Sequence, residues 1–309
     1  MTAWTEADVP DQAGRVALVT GANSGLGFHV TRVLAGSGAQ VILGCRDAPR
    51  ATTAMEQIQA TVPQASLELC VLDLADLDSV TRFSEEVSSR HARLDILVNN
   101  AGVMAVPTRH TTAQGHELQF GTNHLGHFAL TARLFPLLRE GDDARVVTVT
   151  SSLHRRGSID FDDIDAELGY SRWRAYGNSK LANLLFAFEL DRRLRATRNA
   201  TISVAAHPGY AATELSTSGP GLDGRGVRVA TMEAVEQIFA QSAARGALPL
   251  LYAATASDVA GGDYYAPRGI LEWRGSPAKA RATRRARDEK AAARLWELSS
   301  RITGVSFDL

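Results

Sequence analysis

The sequence predicts an α/β fold: a single doubly wound parallel sheet with helices on both faces. Three observations carry this expectation. Short apolar runs alternate with longer segments of helical period, the pattern of βαβ units. A glycine-rich turn, Gly21-Ala-Asn-Ser-Gly25-Leu-Gly27, follows directly on the first apolar run. Hydroxyl and amide residues close several later runs, where a parallel sheet presents its carboxyl edge.

Residues 16–19 read as the first strand. The helix after the glycine turn places Leu26, Val30, Val33 and Leu34 on one face and meets stop signals at Gly36 and Gly38. Strands follow at 41–43, 67–72 and 96–98, separated by helical stretches at about 48–61 and 79–90. A helix-forming segment at about 118–138 leads to a fifth strand at 145–150, and another at about 175–194 to a sixth at 202–206. Residues 217–228 are rich in turn formers and read as a long loop. A helical pair at about 231–243 and 247–255 comes next, then a last strand at 263–265 and a basic helix over 279–301. No internal repeat or linker interrupts this order. The chain reads as one domain, 1–309, with a variable loop at about 211–230 and a C-terminal extension at about 267–309.

Composition excludes several classes of partner. The 33 basic and 34 acidic residues give a net charge of −1, so no global basic field invites nucleic acid. Two cysteines, Cys45 and Cys70, are too few for a disulfide framework or a multi-thiolate metal site, which suits a reducing compartment. The first residues lack the apolar core of a secretory signal, and no stretch approaches the roughly 20 apolar residues that span a bilayer. A cytoplasmic protein without a membrane anchor is expected.

Gly21, Gly25 and Gly27 lie between a strand and a helix, where a dinucleotide pyrophosphate docks on free N–H donors. An ordinary glycine-rich turn would show the same spacing, so the second strand is the sharper signal. An NAD site usually has an acid about 20 residues beyond the turn, to accept from the ribose 2′-OH. Here that strand ends Leu43-Gly44-Cys45-Arg46. A guanidinium suits a 2′-phosphate and a carboxylate does not. NADP(H) is therefore favoured over NAD(H), although Asp47 lies next to Arg46 and a surface arginine is the plain alternative.

Tyr176 and Lys180 are four apart on a predicted helix and share a face. With six tyrosines and three lysines in the chain, chance supplies only about 0.06 such pairs. A free phenol has a pKa near 10, and a nearby ammonium should lower it into a useful range for proton transfer. Ser151 and Ser152 close the fifth strand, Asn99 and Asn100 the fourth, and Asn123 lies in the helix-forming segment between them. Their convergence on one sheet edge points to a shared site.

Taken together, these motifs resemble the short-chain dehydrogenases/reductases. The resemblance rests on Thr20-Gly21-x-x-x-Gly25-x-Gly27, Asp73-Leu74, Asn99-Asn100-Ala101-Gly102, Asn123, Ser152, Tyr176-x-x-x-Lys180 and Pro208-Gly209-x-x-x-Thr213, in the family's order over roughly residues 14–266. A closer likeness to the retinol-dehydrogenase-like branch rests on Gly44-Cys-Arg-Asp47, Asn123-His-Leu-Gly-His-Phe128, Ser179-Lys-Leu-Ala-Asn183 and Leu295-Trp-Glu-Leu-Ser-Ser-Arg-Ile-Thr-Gly304. The N-terminal anchor of that branch's membrane-bound animal members is not seen here.

The resemblance implies a Rossmann-type fold and direct hydride transfer between a nicotinamide and a small carbonyl or alcohol. Tyr176 would be the acid/base. Lys180 would lower its pKa and bind the nicotinamide ribose. Ser152, rather than Ser151, would hydrogen-bond the substrate oxygen, and Asn123 would hold the water of a proton relay. Cofactor contacts would come from Gly21, Asn23, Ser24, Gly25, Leu26 and Gly27, and from Asn99, Ala101 and Gly102. Arg46 would meet the 2′-phosphate, Asp73 beside Leu74 the adenine, and Pro208, Gly209 and Thr213 the carboxamide end. The insert at 158–173 and the loop at 211–230 would shape the substrate pocket. A homo-oligomer is left open.

Other features weigh less. His124 and His127 could face a metal together but lack a third ligand, so packing or cofactor-neighbour roles are expected and no metal. His154 and His207 are read as structural residues, although either could touch the cleft. The insert's Asp160, Asp162, Asp163, Asp165 and Glu167 read as a solvated acidic loop, and the basic tail as a solvated helix face. The rival reading is a nucleotide-binding redox sensor or scaffold without turnover, because fold does not fix function.

Overall fold

The runs Val-Ala-Leu-Val-Thr at 16–20 and Arg-Val-Val-Thr-Val at 145–149 lack polar alternation, so each needs cover on both faces. In the computed structural model, which describes residues 3–209 and 242–309, both lie inside an eight-stranded sheet. Its strands are β1 (Val16–Thr20), β2 (Gln40–Cys45), β3 (Ser66–Val71), β4 (Ile96–Asn99), β5 (Arg145–Val149), β6 (Ile202–Ala206), β7 (Tyr264–Pro267) and β8 (Pro277–Lys279). They run in the order β3-β2-β1-β4-β5-β6-β7-β8, parallel throughout except for the last pair. The chain winds outward from β1 to β3, returns to β4, and winds outward again. That reversal between β1 and β4 opens a crevice at the carboxyl edge.

Side chains alternate across the sheet. Ala17 and Val19 face one core with Val41, Leu43 and Val147, under α1 (Gly25–Gly36) and α7 (Ala243–Thr255). Leu18 and Ile42 face the other with Val146, under α3 (Leu77–Arg90), α5 (Gly126–Arg139) and α6 (Arg172–Ala196). Acidic caps start several helices. Asp47 caps α2 (Ala48–Thr61) by accepting from Arg50 N, and Asp76 caps α3 by accepting from Asp78 N.

Three expectations need correction. The segment 118–138 is not one continuous α-helix: a short α4 (Leu118–Phe120) passes through a π-turn, Gly121–Leu125, into α5. β7 is not the last strand, because β8 returns antiparallel beside it and pairs Pro267 with Pro277 and Tyr265 with Lys279. Residues 279–301 are not one helix either. After β8 come a 3₁₀ turn, Arg285–Arg287, and then α8 (Glu289–Thr303), which begins where Asp288 accepts from Lys290 N and Ala291 N. The expected loop at 217–228 and most of the helix at 231–243 lie outside the described residues.

The tail belongs to the core. Trp296 on α8 meets Phe307 at 4.5 Å and Phe128 on α5 at 5.2 Å between ring centroids, with Phe186 of α6 alongside. Offset and edge-on contacts of this kind add to the area the rings bury. Trp296→Ala should therefore cost about 3–5 kcal/mol of stability. Urea unfolding of the purified variant checks this, and a loss under about 1 kcal/mol would show the tail to be dispensable.

Candidate active site

The crevice is a cleft lined by Gly21, Asn23, Ser24, Gly25 and Leu26 after β1, Arg46 and Asp47 after β2, Asp73 and Leu74 after β3, and Ala101 and Gly102 after β4. Gly21 turns the chain in the left-handed region, at φ +67°. Gly27 does not line the cleft. A Cβ there would lie 2.2 Å from Gly21 O, so its hydrogen lets α1 close on the turn. Ser24, at the N-cap of α1, makes no side-chain capping bond, unlike Asp47 or Asp76. The first-turn N–H groups of α1 thus remain available at the positive end of a helix, which fits a dinucleotide's phosphates.

The charged wall sorts itself by geometry. Asp47 Oδ1 accepts from Arg50 N at 3.0 Å, so that carboxylate is engaged in capping. Arg46 is exposed on the cleft, and Arg50 lines it too; sequence reasoning missed Arg50, although it lies four residues from Arg46. Burial pushes the Cys45 thiol up to about 11 despite N–H groups of Ala22 and Asn23 directed at it, so it stays neutral. Asp73 Oδ1 accepts from Ala75 N at 2.9 Å. The Asn99 side chain is buried and donates to Thr131 Oγ1 at 2.9 Å, which leaves only its backbone for the expected cofactor contact. The neighbouring Asn100 lines the cleft instead. Strand alternation turns the two amides opposite ways.

A buried network joins this wall to the inner end of the cleft. Thr20 Oγ1 accepts from Asn100 N and Ala101 N, both at 2.9 Å, and lies 2.9 Å from His127 Nε2. His127 Nδ1 lies 3.0 Å from Asn123 O. A carbonyl only accepts, so Nδ1 carries the proton and the Thr20 hydroxyl donates to Nε2. Burial pulls the imidazole down to about 4, which keeps it neutral. Asn123, in the π-turn, clasps Val103 by accepting from its N at 2.8 Å and donating to its O at 3.0 Å, and it also donates to Ser179 Oγ. Both of its amide N–H donors are thus used. His124 packs against Ser299 at 2.8 Å.

Tyr176 and Lys180 share one face of α6 and are both buried, with Nζ 5.7 Å from the ring centroid. Lys180 Nζ donates to Val149 O at 3.2 Å. A Cβ on Gly102 would lie 2.8 Å from Asn123 Oδ1 and 3.7 Å from Lys180 Nζ, so the cleft wall reaches this corner. Of the two serines, it is the Ser151 hydroxyl that acts on the Tyr176 phenol. Ser151 still has extended backbone, at φ −146° and ψ 155°, whereas Ser152 already belongs to a 3₁₀ turn, Ser152–Arg156. Burial pushes Tyr176 up to about 12, with the Ser151 hydrogen bond opposing, and pulls Lys180 down to about 8. Burial is the largest influence on the phenol, and the ammonium is not among the groups that shift it.

Pro208 and Gly209 follow β6, with Gly209 at φ +77°, and Thr213 lies outside the described residues. His154 and His207 are both buried. In the insert, Asp165 is no solvated acid, since it accepts from Glu117 N at 2.9 Å and lies 3.1 Å from His116 Nδ1. Among the described residues, no three His, Cys, Asp or Glu side chains are placed to hold a metal, and no helix is long and apolar enough to cross a membrane.

Residues 15–220 match the short chain dehydrogenase family, two-thirds of the chain. The chain is a short-chain dehydrogenase. It is 38% identical to mouse retinol dehydrogenase 14, over 94% of this chain and 86% of that protein. Against human retinol dehydrogenase 13 it is 37% identical, over 94% and 85%. A crystal structure of an uncharacterized protein from Mycobacterium paratuberculosis matches all of both chains at 41% identity and a TM-score of 0.82. Pseudomonas aeruginosa RhlG, solved with NADP, shares the fold at 23% identity and a TM-score of 0.64, over 82% of this short-chain dehydrogenase and 94% of that chain. The family and these relatives make it an NAD(P)-dependent oxidoreductase acting on alcohol or carbonyl groups.

Proposed function

We propose that this short-chain dehydrogenase is an NADP(H)-dependent carbonyl reductase, and in reverse an alcohol dehydrogenase, with Tyr176 as acid and base. The observation that carries the reading is the buried Tyr176–Lys180 pair, whose ammonium lies behind Gly102 of the cleft wall. When bound, the nicotinamide supplies or accepts the hydride. Burial keeps the phenol protonated at neutral pH, the form that donates to a carbonyl oxygen in reduction. Ser151 steadies that hydroxyl, and Ser152 would hydrogen-bond the substrate oxygen. Lys180 keeps donors beyond its bond to Val149 O for a ribose hydroxyl. Asn123, both its amide donors used, would hold a relay water as an acceptor.

Arg46 would pair with the 2′-phosphate, and Asp73 would accept from the adenine amino group. The retinol dehydrogenases among its relatives place apolar aldehydes and alcohols of retinoid type first among candidate substrates. We read 1–309 as one catalytic domain with its substrate loop at about 211–230 and an extension from about 267. Two free, buried thiols suit the cytoplasm.

Tyr176→Phe should lower kcat for carbonyl reduction by about 10²–10⁴-fold while NADPH still binds. Turnover that survives the substitution would overturn the mechanism. NADPH binding without turnover of any carbonyl or alcohol, in a broad panel given to the unaltered enzyme, would favour a sensor. Arg46→Ala should weaken NADPH by about tenfold and leave NADH nearly unchanged, as loss of one charge-assisted hydrogen bond implies. Equal losses in paired titrations would remove the 2′-phosphate argument. The folded Lys180 loses its proton as pH rises through about 8. Its kcat/KM for reduction should accordingly fall above that pH. A profile flat to about pH 10, close to the free lysine value, would show that the ammonium is not required.

A further inference from the structure

The loop between β7 and β8 is strained. Leu271 and Glu272 stand consecutively in the left-handed region, at φ +57° and +59°. Non-glycine residues keep that conformation only where their surroundings enforce it. Here the enforcing contact is the Glu272 carboxylate. Oε1 accepts from Arg155 Nη2 at 2.7 Å, on the 3₁₀ turn that follows Ser151. Oε2 lies 3.4 Å from Nε2 of the buried His207, within ion-pair distance but outside hydrogen-bond geometry, and neither atom has a hydrogen-bond partner among the described residues. The Tyr264 ring, stacked on the imidazole at 6.3 Å, closes the cluster from β7.

The opposite nitrogen of His207 explains why this matters. Nδ1 accepts the Gly209 N–H at 3.0 Å, so Nδ1 is bare and the ring proton is on Nε2, facing Glu272. We infer that Glu272 is a positioning residue for the nicotinamide end of the cofactor site: by holding the His207 proton on Nε2, it keeps Nδ1 free to fix the Pro208–Gly209 turn. This rests on the reading that Pro208–Gly209 faces that end. The same carboxylate, through Arg155, ties that turn to the segment carrying Ser151. Released from Glu272, the imidazole can take its other tautomer, which presents N–H to N–H at Gly209.

The test compares two ligands on the full chain. NADPH reaches the nicotinamide end, and adenosine 2′,5′-bisphosphate does not. Glu272→Ala should weaken NADPH by about tenfold, the cost of one lost buried acceptor, and leave the bisphosphate within about twofold. Glu272→Gln, whose amide oxygen can still face Nε2, should stay within about threefold for both. His207→Asn puts an amide oxygen where Nδ1 was, and in that background Glu272→Ala should add less than about twofold. If Glu272→Ala does not fold, the pair His207→Asn and His207→Leu carries the same test, with only Leu losing about tenfold in NADPH affinity. Equal weakening of both ligands, unchanged NADPH binding, or additive losses in the double variant would overturn the proposal. An unaltered enzyme that binds NADPH no better than the bisphosphate would instead overturn the reading of Pro208–Gly209, and the proposal with it.

Discussion

The Thr20 hydroxyl is the point from which the carboxyl edge of the sheet is hung. One oxygen receives the two N–H groups that open the loop after β4 and gives its own proton to His127. Because the carbonyl of Asn123 only accepts, His127 Nδ1 carries the ring proton, the imidazole has one tautomer, and Nε2 faces the Thr20 hydroxyl. From there the amide of Asn123 clasps Val103 and reaches Ser179 on α6, the helix of Tyr176 and Lys180. The side chains of Thr20, His127, Asn123 and Ser179 in this series are all buried. An error at one position would leave an orphan at the next, and the whole arrangement forms together or not at all.

Dryness, more than charge pairing, sets the chemistry of the inner corner. The same exclusion of water that pushes the Tyr176 phenol up pulls the Lys180 ammonium down. The two shifts leave a neutral acid beside a cation that is still mostly charged at neutral pH. His127 and His124, buried on the same stretch of chain, are held neutral for the same reason, and neither competes as a proton donor. Selectivity among proton donors thus follows from where water is kept out.

Much of this was legible in the sequence because it is local. The glycine turn, the arginine closing β2 and the i,i+4 pair on α6 are each written within a few residues, and β1 to β6 announce themselves as apolar runs. What was not legible depends on distance or on single-residue register. Which of Ser151 and Ser152 acts on the Tyr176 phenol turns on where extended backbone gives way to a 3₁₀ turn. Asn99 and Asn100 differ only in which side of the sheet they face. The rise of the Tyr176 pKa depends on packing from several elements, and no spacing encodes it. Strand β8 has three residues and begins with proline, so no apolar run marks it. Glu272 gains its meaning from His207, remote in sequence and adjacent only across the sheet edge.

That edge has a consequence of its own. A parallel sheet that ended at β7 would offer the rim Tyr264-Tyr265-Ala266 to any passing extended chain. The return strand Pro-Ala-Lys covers it and ends the ladder on a residue without an N–H and on a charged one, Lys279, paired with Asp263 at 2.9 Å. At the far rim, β3 carries Glu68 under Arg90 and His91. Both selvedges of the fabric are finished against further weaving. In a crowded cell, that protects a wide sheet from templating misfolded neighbours.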